Sequence, residues 1–237
     1  MKEWQEEHIQ ALLEQPSEDA LLQHLIGVVR KMGFDYCAYG IRLPLPISNP
    51  KIVMLNNYEP IWQEKYQAEN YLSIDPTVQH GIRSSLPIVW NDQLFKQAPE
   101  FWEDARQHGL HIGWAQSCRY NYGAIGMLTL ARSHEVLSLQ ELQVKNAQMS
   151  WLSQVAHFAL SEHLVSKHMP EAKVSLSNRE VEVLRWTAEG KTAADIADIL
   201  RIAERTVNFH INNSLTKLRS NNKTQATIKA AALGFLG

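Results

Sequence analysis

Tyr58, Trp62 and Tyr66 recur at every fourth position, and an aspartate followed by proline, Asp75-Pro76, comes shortly after them. If the segment is helical, that spacing puts the three rings on one face, each an apolar body with a hydrogen-bonding tip. Such a face can line a pocket and orient a small ligand; a four-spaced aromatic stripe is equally the pattern of ordinary core. Asp75 bears on the choice. A carboxylate in an apolar neighbourhood must find donors or stay at the surface, and its purely structural use would be to cap a helix beginning at Pro76. The chemistry indicated is recognition, because no nucleophile and base, and no second carboxylate, lie at short range to make Asp75 catalytic. No phosphoacceptor domain is indicated either, since the N-terminal half lacks a strand-terminating acidic cluster with a later Lys. His108 and His111 are three apart, but nothing nearby completes a ligand set, so neither a metal nor a cofactor is expected.

A second constellation occupies Ser177 to Leu218. Ser177-Asn178-Arg179-Glu180 has the form of a capping box, so a helix should start at Asn178. Val181, Leu184 and Ala188 give it one buried stripe, and Gly190 supplies the left-handed residue that ends it. Thr192 caps a second helix of about two turns, with Asp195 at the reciprocal position and Ile196, Ala197 and Leu200 facing inward. Ile202 and Val207 then staple the start of a third helix around a cap at Ala203, which lacks the acceptor that Ser or Asp would offer. Val207, Ile211, Ser214 and Leu218 fall on the buried side of that helix. Opposite them lie Glu204, Arg205, Asn208, Asn212, Thr216 and Arg219, side chains of the kind that bond phosphates and base edges in a major groove. The pattern predicts a helix-turn-helix; its alternative is a solvated helical bundle with an ordinary charged face. Charge favours DNA: from Arg201 to the end, six Lys or Arg stand against one acid, Glu204, although the whole chain carries −2.

The elements that position these groups follow from length and patterning. At 237 residues and 45% apolar, the chain is long enough for one sizeable core and a smaller module. It has no membrane-spanning run and no apolar signal segment behind its acidic start, Trp4 to Glu14, so a cytoplasmic location is expected. Cys37 and Cys118 are far apart, without Cys-x-x-Cys spacing, and read as free buried thiols. Helical patterning reaches about Met32. Short β-rich runs follow at Tyr36 to Ile41, Ile52 to Leu55, Ile112 to Cys118 and Ile125 to Leu130, alternating with helical ones near Trp62, Phe101 and Ser138 to Leu164. The fold class expected is α+β: an N-terminal α/β/α sandwich with a central antiparallel sheet, plus a C-terminal all-α helix-turn-helix domain. Ser166 to Lys173, polar and containing Pro170, reads as a linker. The domains are therefore placed at 1–165 and 175–237, with 166–174 between them.

Both regions resemble one family. Leu176-Ser177-Asn178-Arg179-Glu180, Leu184-Arg185-Trp186, Gly190-Lys191-Thr192, Asp195-Ile196-Ala197 and Arg205-Thr206-Val207-Asn208-Phe209-His210 look like the signature of LuxR-type quorum-sensing regulators. Tyr58, Trp62, Asp75-Pro76, Trp90 and Gly113 resemble that family's acyl-homoserine-lactone receptor positions, and Ser73-Ile74-Asp75-Pro76 with Leu86-Pro87-Ile88-Val89-Trp90 resembles its QscR-like branch in particular. The chain departs from the family pattern at Ala203, Asn208 and Asp195, where Ser, Lys and Glu are common.

The resemblance implies that Asp75 accepts from a ligand amide, that Trp62 donates to the lactone carbonyl, and that Tyr58 and Thr129 bond the acyl carbonyl. Tyr66, Trp90, Phe101, Trp102, Leu110, Ile125 and Met127 are then pocket-wall candidates, with small Ala38 and Gly40 leaving room for an acyl tail. It implies as partners an N-acyl homoserine lactone, a second copy of the chain, and a double-stranded inverted-repeat operator; the alternative is a regulator of this fold that senses a different small molecule or acts without ligand. The contacts to DNA would come from Lys191, Thr192, Glu204, Arg205, Thr206, Asn208, Asn212, Thr216, Lys217 and Arg219. Ala226, Ala230 and Leu233, with Phe235-Leu236, give the final helix an apolar face that either pairs across a dimer axis or covers the small domain's own core.

Overall fold

The computed structural model describes residues 2–120 and 122–237. The chain divides into two compact units: Met1–Arg42 with Ile52–Tyr120 and Ile125–His163, and Leu43–Lys51 with Asn121–Ala124 and Leu164–Gly237.

The first unit is built on a five-stranded sheet. In chain order its elements are α1 (Lys2–Leu13), α2 (Glu18–Lys31), β1 (Tyr36–Arg42), β2 (Ile52–Asn56), α3 (Pro60–Ala68), α4 (Pro76–Arg83), β3 (Ile88–Val89), α5 (Pro99–Gln107), β4 (Ile112–Tyr120), β5 (Ala124–Arg132) and α6 (Leu139–His168). Local chemistry sets several of the starts. Ser17 accepts from the backbone N–H of Ala20 at the head of α2, whose first turn is acidic and last turn basic. Proline occupies the first turn of α3, α4 and α5, where its missing N–H costs nothing. The sheet order is β2-β1-β5-β4-β3, and β1 pairs antiparallel with both β2 and β5. The four strands expected from β-rich runs are all present; two-residue β3 is additional, too short to carry a periodic signal.

Strand alternation gives the sheet two differently used faces. On one, α6 is fastened by side-chain bonds: Tyr39 Oη to His157 Nδ1 at 2.7 Å, Trp114 Nε1 to Asn146 Oδ1 at 3.2 Å, and Cys118 Sγ to Ser153 Oγ at 3.1 Å. Gly126 is required there, since a Cβ would sit 2.2 Å from His157 Nδ1. Burial pushes the Cys37 thiol up to about 12 and the His157 imidazole down to about 4, so both are neutral at physiological pH. Both cysteines are free and buried, as their spacing suggested.

The start of α6 is held by a charged cluster. Arg132 at the end of β5 grips Glu141 with two bonds, of 3.0 and 2.8 Å, while Lys145 donates to Glu141 and to the carbonyl of Met32 beyond α2. The segment read as a polar linker is more ordered than expected. Helix α6 continues to His168, and Pro170–Lys173 forms a 3-10 turn with Ala172 buried.

The second unit holds four helices: α7 (Asn178–Ala188), α8 (Ala193–Leu200), α9 (Glu204–Lys217) and α10 (Lys223–Ala232). Both capping boxes are present, Ser177 with Glu180 and Thr192 with Asp195, and Ala203 makes no side-chain cap. Gly190 is left-handed, φ +80°, as a helix terminator must be. The inward face of α7 is set by Glu180, Val183 and Leu184, whereas Ala188 is exposed and Val181 half-buried. Of the expected stripe only Leu184 is fully buried; the inward face is shifted toward Glu180 and Val183, and Glu180 there pairs with Lys217 at 2.7 Å.

The Glu141 cluster generates a prediction. Arg132 and Lys145 hold its carboxyl down at about 2, against an ordinary 4.5, so its contribution is complete above 4.5 and is lost as pH falls toward 2. Glu141→Gln is expected to lower stability at neutral pH by about 2 kcal/mol and to remove that part of the acid dependence; urea melts on both sides of the window check each.

Candidate functional site

Opposite α6, the sheet and helices α3, α4 and α5 enclose a cavity of about 300 Å³, a volume suited to a small ligand. Its floor is a grid of three rungs set by strand register: Ala38 between Asn56 and Thr129, Gly40 between Met54 and Met127, and Arg42 between Ile52 and Ile125. Its wall carries the aromatic stripe. Trp62 and Tyr66 are buried in one cluster with Phe101 and Trp102, and the four-residue spacing on α3 does bring Trp62 and Tyr66 together, ring centroids 5.8 Å apart. Core and pocket were offered as alternatives for this stripe; here Trp62 and Tyr66 are buried and also line the cavity, whereas Tyr58, expected on the same helix face, precedes α3 and lines the cavity half-buried.

Asp75 is the polar centre of the site and is only 8% exposed. Its Oδ1 accepts from the Thr77 backbone N–H at 2.8 Å and the Thr77 hydroxyl at 2.6 Å, and its Oδ2 accepts from Tyr66 Oη at 3.0 Å. It is thus both the cap of α4 and a lining residue of the cavity. Burial raises its carboxyl above the ordinary value, against the pull of the bonds from Thr77 and Tyr66. The phenols of Tyr58 and Tyr66 are raised by burial and by the nearby Asp75, so both remain donors.

Neighbouring bonds fix the remaining walls. Trp102 donates to Asp92 at 2.8 Å and stacks on Phe95, 4.2 Å between centroids, so its indole N–H is already used. The Trp90 indole N–H is buried and has no hydrogen-bond partner among the described residues. Its ring lies flat against Gly113, where a Cβ would come within 2.2 Å, which accounts for that glycine. Behind Trp62 and Phe101, Lys65 pairs with Asp104 at 2.8 Å and Tyr71 donates to the same carboxylate, tying α3 to α5.

The thirteen residues proposed from sequence as a pocket, Ala38, Gly40, Tyr58, Trp62, Tyr66, Asp75, Trp90, Phe101, Trp102, Leu110, Ile125, Met127 and Thr129, all line this one cavity. Sequence reasoning missed Leu72, Thr77, Gly81, Phe95, Ser117 and Met54, which line it too. Thr77 carried a signal, since a residue two past a capping Asp supplies its donors; Met54 alternates with Ile52 on one strand face. Gly81 and Ser117 had none.

In the second unit, α9 presents the expected face. Glu204, Arg205, Asn208, Asn212, Thr216 and Arg219 are exposed, with Lys191 and Thr192 exposed at the start of α8 and Thr206 half-buried. Val207, Ile211, Ser214 and Leu218 are buried beneath them. Lys217 is a departure: it pairs with the buried Glu180 at 2.7 Å, so its charge is largely spent on holding α9 to α7. Phe209, 59% exposed on the same face, was passed over. Ala226, Ala230 and Leu233 are buried within the chain, which fits the reading in which their face covers the chain's own interior. Ile228 is the exposed large apolar side chain of α10.

Comparison with known proteins gives the same two-part division. Residues 17–160 match the autoinducer binding domain, and residues 174–230 match bacterial regulatory proteins of the luxR family. The transcriptional activator protein AnoR of Acinetobacter nosocomialis is 48% identical over 238 residues, covering 100% of both chains. The crystal structure of Escherichia coli SdiA superposes with a TM-score of 0.85 at 36% identity, covering 99% of this chain and 98% of that one. SdiA in complex with octanoyl-rac-glycerol superposes at 0.84 and 35% identity, covering 99% and 96%.

A carboxylate raised by burial costs stability once ionised: the cost is absent below its ordinary value of 3.8 and grows as pH rises past it. Asp75→Asn keeps an acceptor for Thr77 and removes the buried charge. The ligand-free variant is expected to melt above the wild type at neutral pH and together with it in acid below 3.8; thermal melts at the two pH values check the sign.

Proposed function

The chain belongs to the luxR family of bacterial regulatory proteins and carries an autoinducer-binding domain, and from that premise we propose that its ligand is an N-acyl homoserine lactone. The observation that carries the proposal is Asp75: a buried carboxylate in a mainly apolar cavity, with no cation paired to it among the described residues. A ligand amide N–H supplies the donor such a group lacks, worth about 1.5–3 kcal/mol when one partner is charged. Trp62 then donates to the lactone carbonyl, and Tyr58 and Thr129 bond the acyl carbonyl. The acyl tail runs along the floor over Gly40 toward Ile125, each buried methylene adding about 0.8 kcal/mol. Chain length sets affinity and the amide sets orientation.

The second unit acts on DNA as a helix-turn-helix of this family. We place α9 in the major groove, with Arg205, Asn208 and Asn212 as the base-reading side chains and Lys191, Thr192 and Arg219 toward phosphates. The regulator works in the cytoplasm as a homodimer, so that two such helices meet the halves of an inverted repeat. The dimer contact lies elsewhere than at Ala226, Ala230 and Leu233, which are already buried. Ligand completes the interior of the first unit and stabilises the state competent to bind the operator.

An acyl glycerol is the second reading, favoured by the likeness to SdiA solved with octanoyl-rac-glycerol. A glycerol hydroxyl can donate to Asp75 as an amide does. Melting temperature against lactones of increasing chain length, with matched acyl glycerols, separates the two. A rise that peaks at one lactone length supports the first reading; a rise with glycerols alone moves the assignment to the second, and no rise with either class in folded protein removes both.

Two substitutions test the roles. Asp75→Ala is expected to abolish the lactone-induced rise while leaving the DNA-binding module able to bind the operator; an unaltered rise would remove Asp75 from the contact. Asn212→Ala is expected to weaken operator binding by about 1–3 kcal/mol with little effect on unrelated DNA, measured by titration against both duplexes.

A further inference from the structure

Gly81 is out of keeping with its place in the helix. It sits inside α4 with no left-handed backbone to require it, where alanine would be the better helix former. Its effect is to leave room. A Cβ at Gly81 would meet the Met127 Sδ at 3.0 Å and the Ser117 Cβ at 3.4 Å. Met127 stands on the middle rung of the cavity floor, opposite Gly40, with Met54 on the other side of Gly40. Two glycines and two thioethers therefore ring the cavity at one level, the wall position where a flexible methionine adapts most readily. The rung of Ala38 and Thr129, at the polar end, is about 7 Å away along the strands, and the rung of Arg42 and Ile125 is as far again in the other direction.

We propose that Gly81 and Met127 form a waist that sets the longest acyl chain this receptor accepts, an inference that rests on the cavity holding an acyl homoserine lactone. A chain that ends before the middle rung never reaches the waist. A longer chain passes it, and Met127 yields because Gly81 leaves space for its sulfur against α4. A methyl group at Gly81 occupies that space and returns the thioether to the cavity, narrowing the passage to the outer rung while leaving the polar end untouched. The ligand class this favours is a long, unbranched acyl chain.

Binding of the butanoyl to tetradecanoyl homoserine lactones to the full chain tests this, with ligand-free melting as the control for folding. Gly81→Ala is expected to melt at or above the wild type, to bind the butanoyl lactone unchanged, and to bind the dodecanoyl lactone roughly tenfold more weakly, the equivalent of about two buried methylenes. Met127→Ala in the same chain as Gly81→Ala is expected to restore long-chain binding, the coupling that a shared waist requires. Equal losses at every chain length, an unchanged length profile, or no restoration in the double variant overturns the waist while leaving the receptor reading intact. Failure of the wild type to bind any lactone overturns the receptor reading, and the waist with it.

Discussion

The structure of the first unit depends on placing one carboxylate where water does not reach. Burying Asp75 costs free energy, and the bonds from Thr77 and Tyr66 offset only part of it, which is why its carboxyl is raised rather than lowered. The same bonds do structural work. Those from Thr77 start α4 at Pro76, and the one from Tyr66 ties α3 to that start, so a single acid joins the two helices that wall the cavity. An apolar side chain at position 75 would relieve the desolvation but remove both the cap and the link. Its retention is explained if something else completes the acid's hydrogen bonding.

The sheet carries this arrangement because its two faces have different tasks. Residues alternating along β1 send Tyr39 to His157 on α6 and Ala38, Gly40 and Arg42 to the cavity floor. The α6 face is close-packed and pinned by side-chain bonds, with Gly126 admitting no larger residue. The cavity face is instead lined by small residues and methionines, which leave volume and tolerate different occupants. A rigid face behind a compliant one lets the floor keep its register while the cavity adjusts.

What could be read from the sequence was mostly local. Capping boxes at Ser177 and Thr192, the left-handed Gly190 and the inward faces of α8 and α9 depend on residues within a few positions of one another, and the structure agrees with them. The cavity lining was legible by a different route: the four-residue period put Trp62 and Tyr66 on one face of α3, while Tyr58 lies before that helix and reaches the cavity from the preceding bend, and the family resemblance assembled thirteen residues from β1, α3, α5, β5 and the segments between elements. Contacts between distant positions were not legible. Lys217 reads as a phosphate contact until Glu180, far back in the chain, is found buried beside it. The same buried Glu180 belongs to the inward face of α7, whereas Ala188 is exposed. Gly81 could not be singled out, because its meaning lies in the Met127 sulfur brought to it by the fold.

On the proposed function, the partly compensated burial of Asp75 also bears on how occupancy is converted to output. A ligand that binds only the folded state stabilises it by RT ln(1 + [L]/Kd), about 2.7 kcal/mol at a hundredfold excess over Kd. Natural domains hold only about 5–15 kcal/mol in total, so a gain of that size is a large share of the stability of a unit whose buried carboxylate is only partly compensated. Changes of one to two kcal/mol alter the abundance of a folded protein several-fold in cells. On that reading, part of the response to ligand is a change in how much folded regulator exists. The helix-turn-helix is held by its own capping boxes and the Glu180–Lys217 pair, contacts that lie wholly within the second unit.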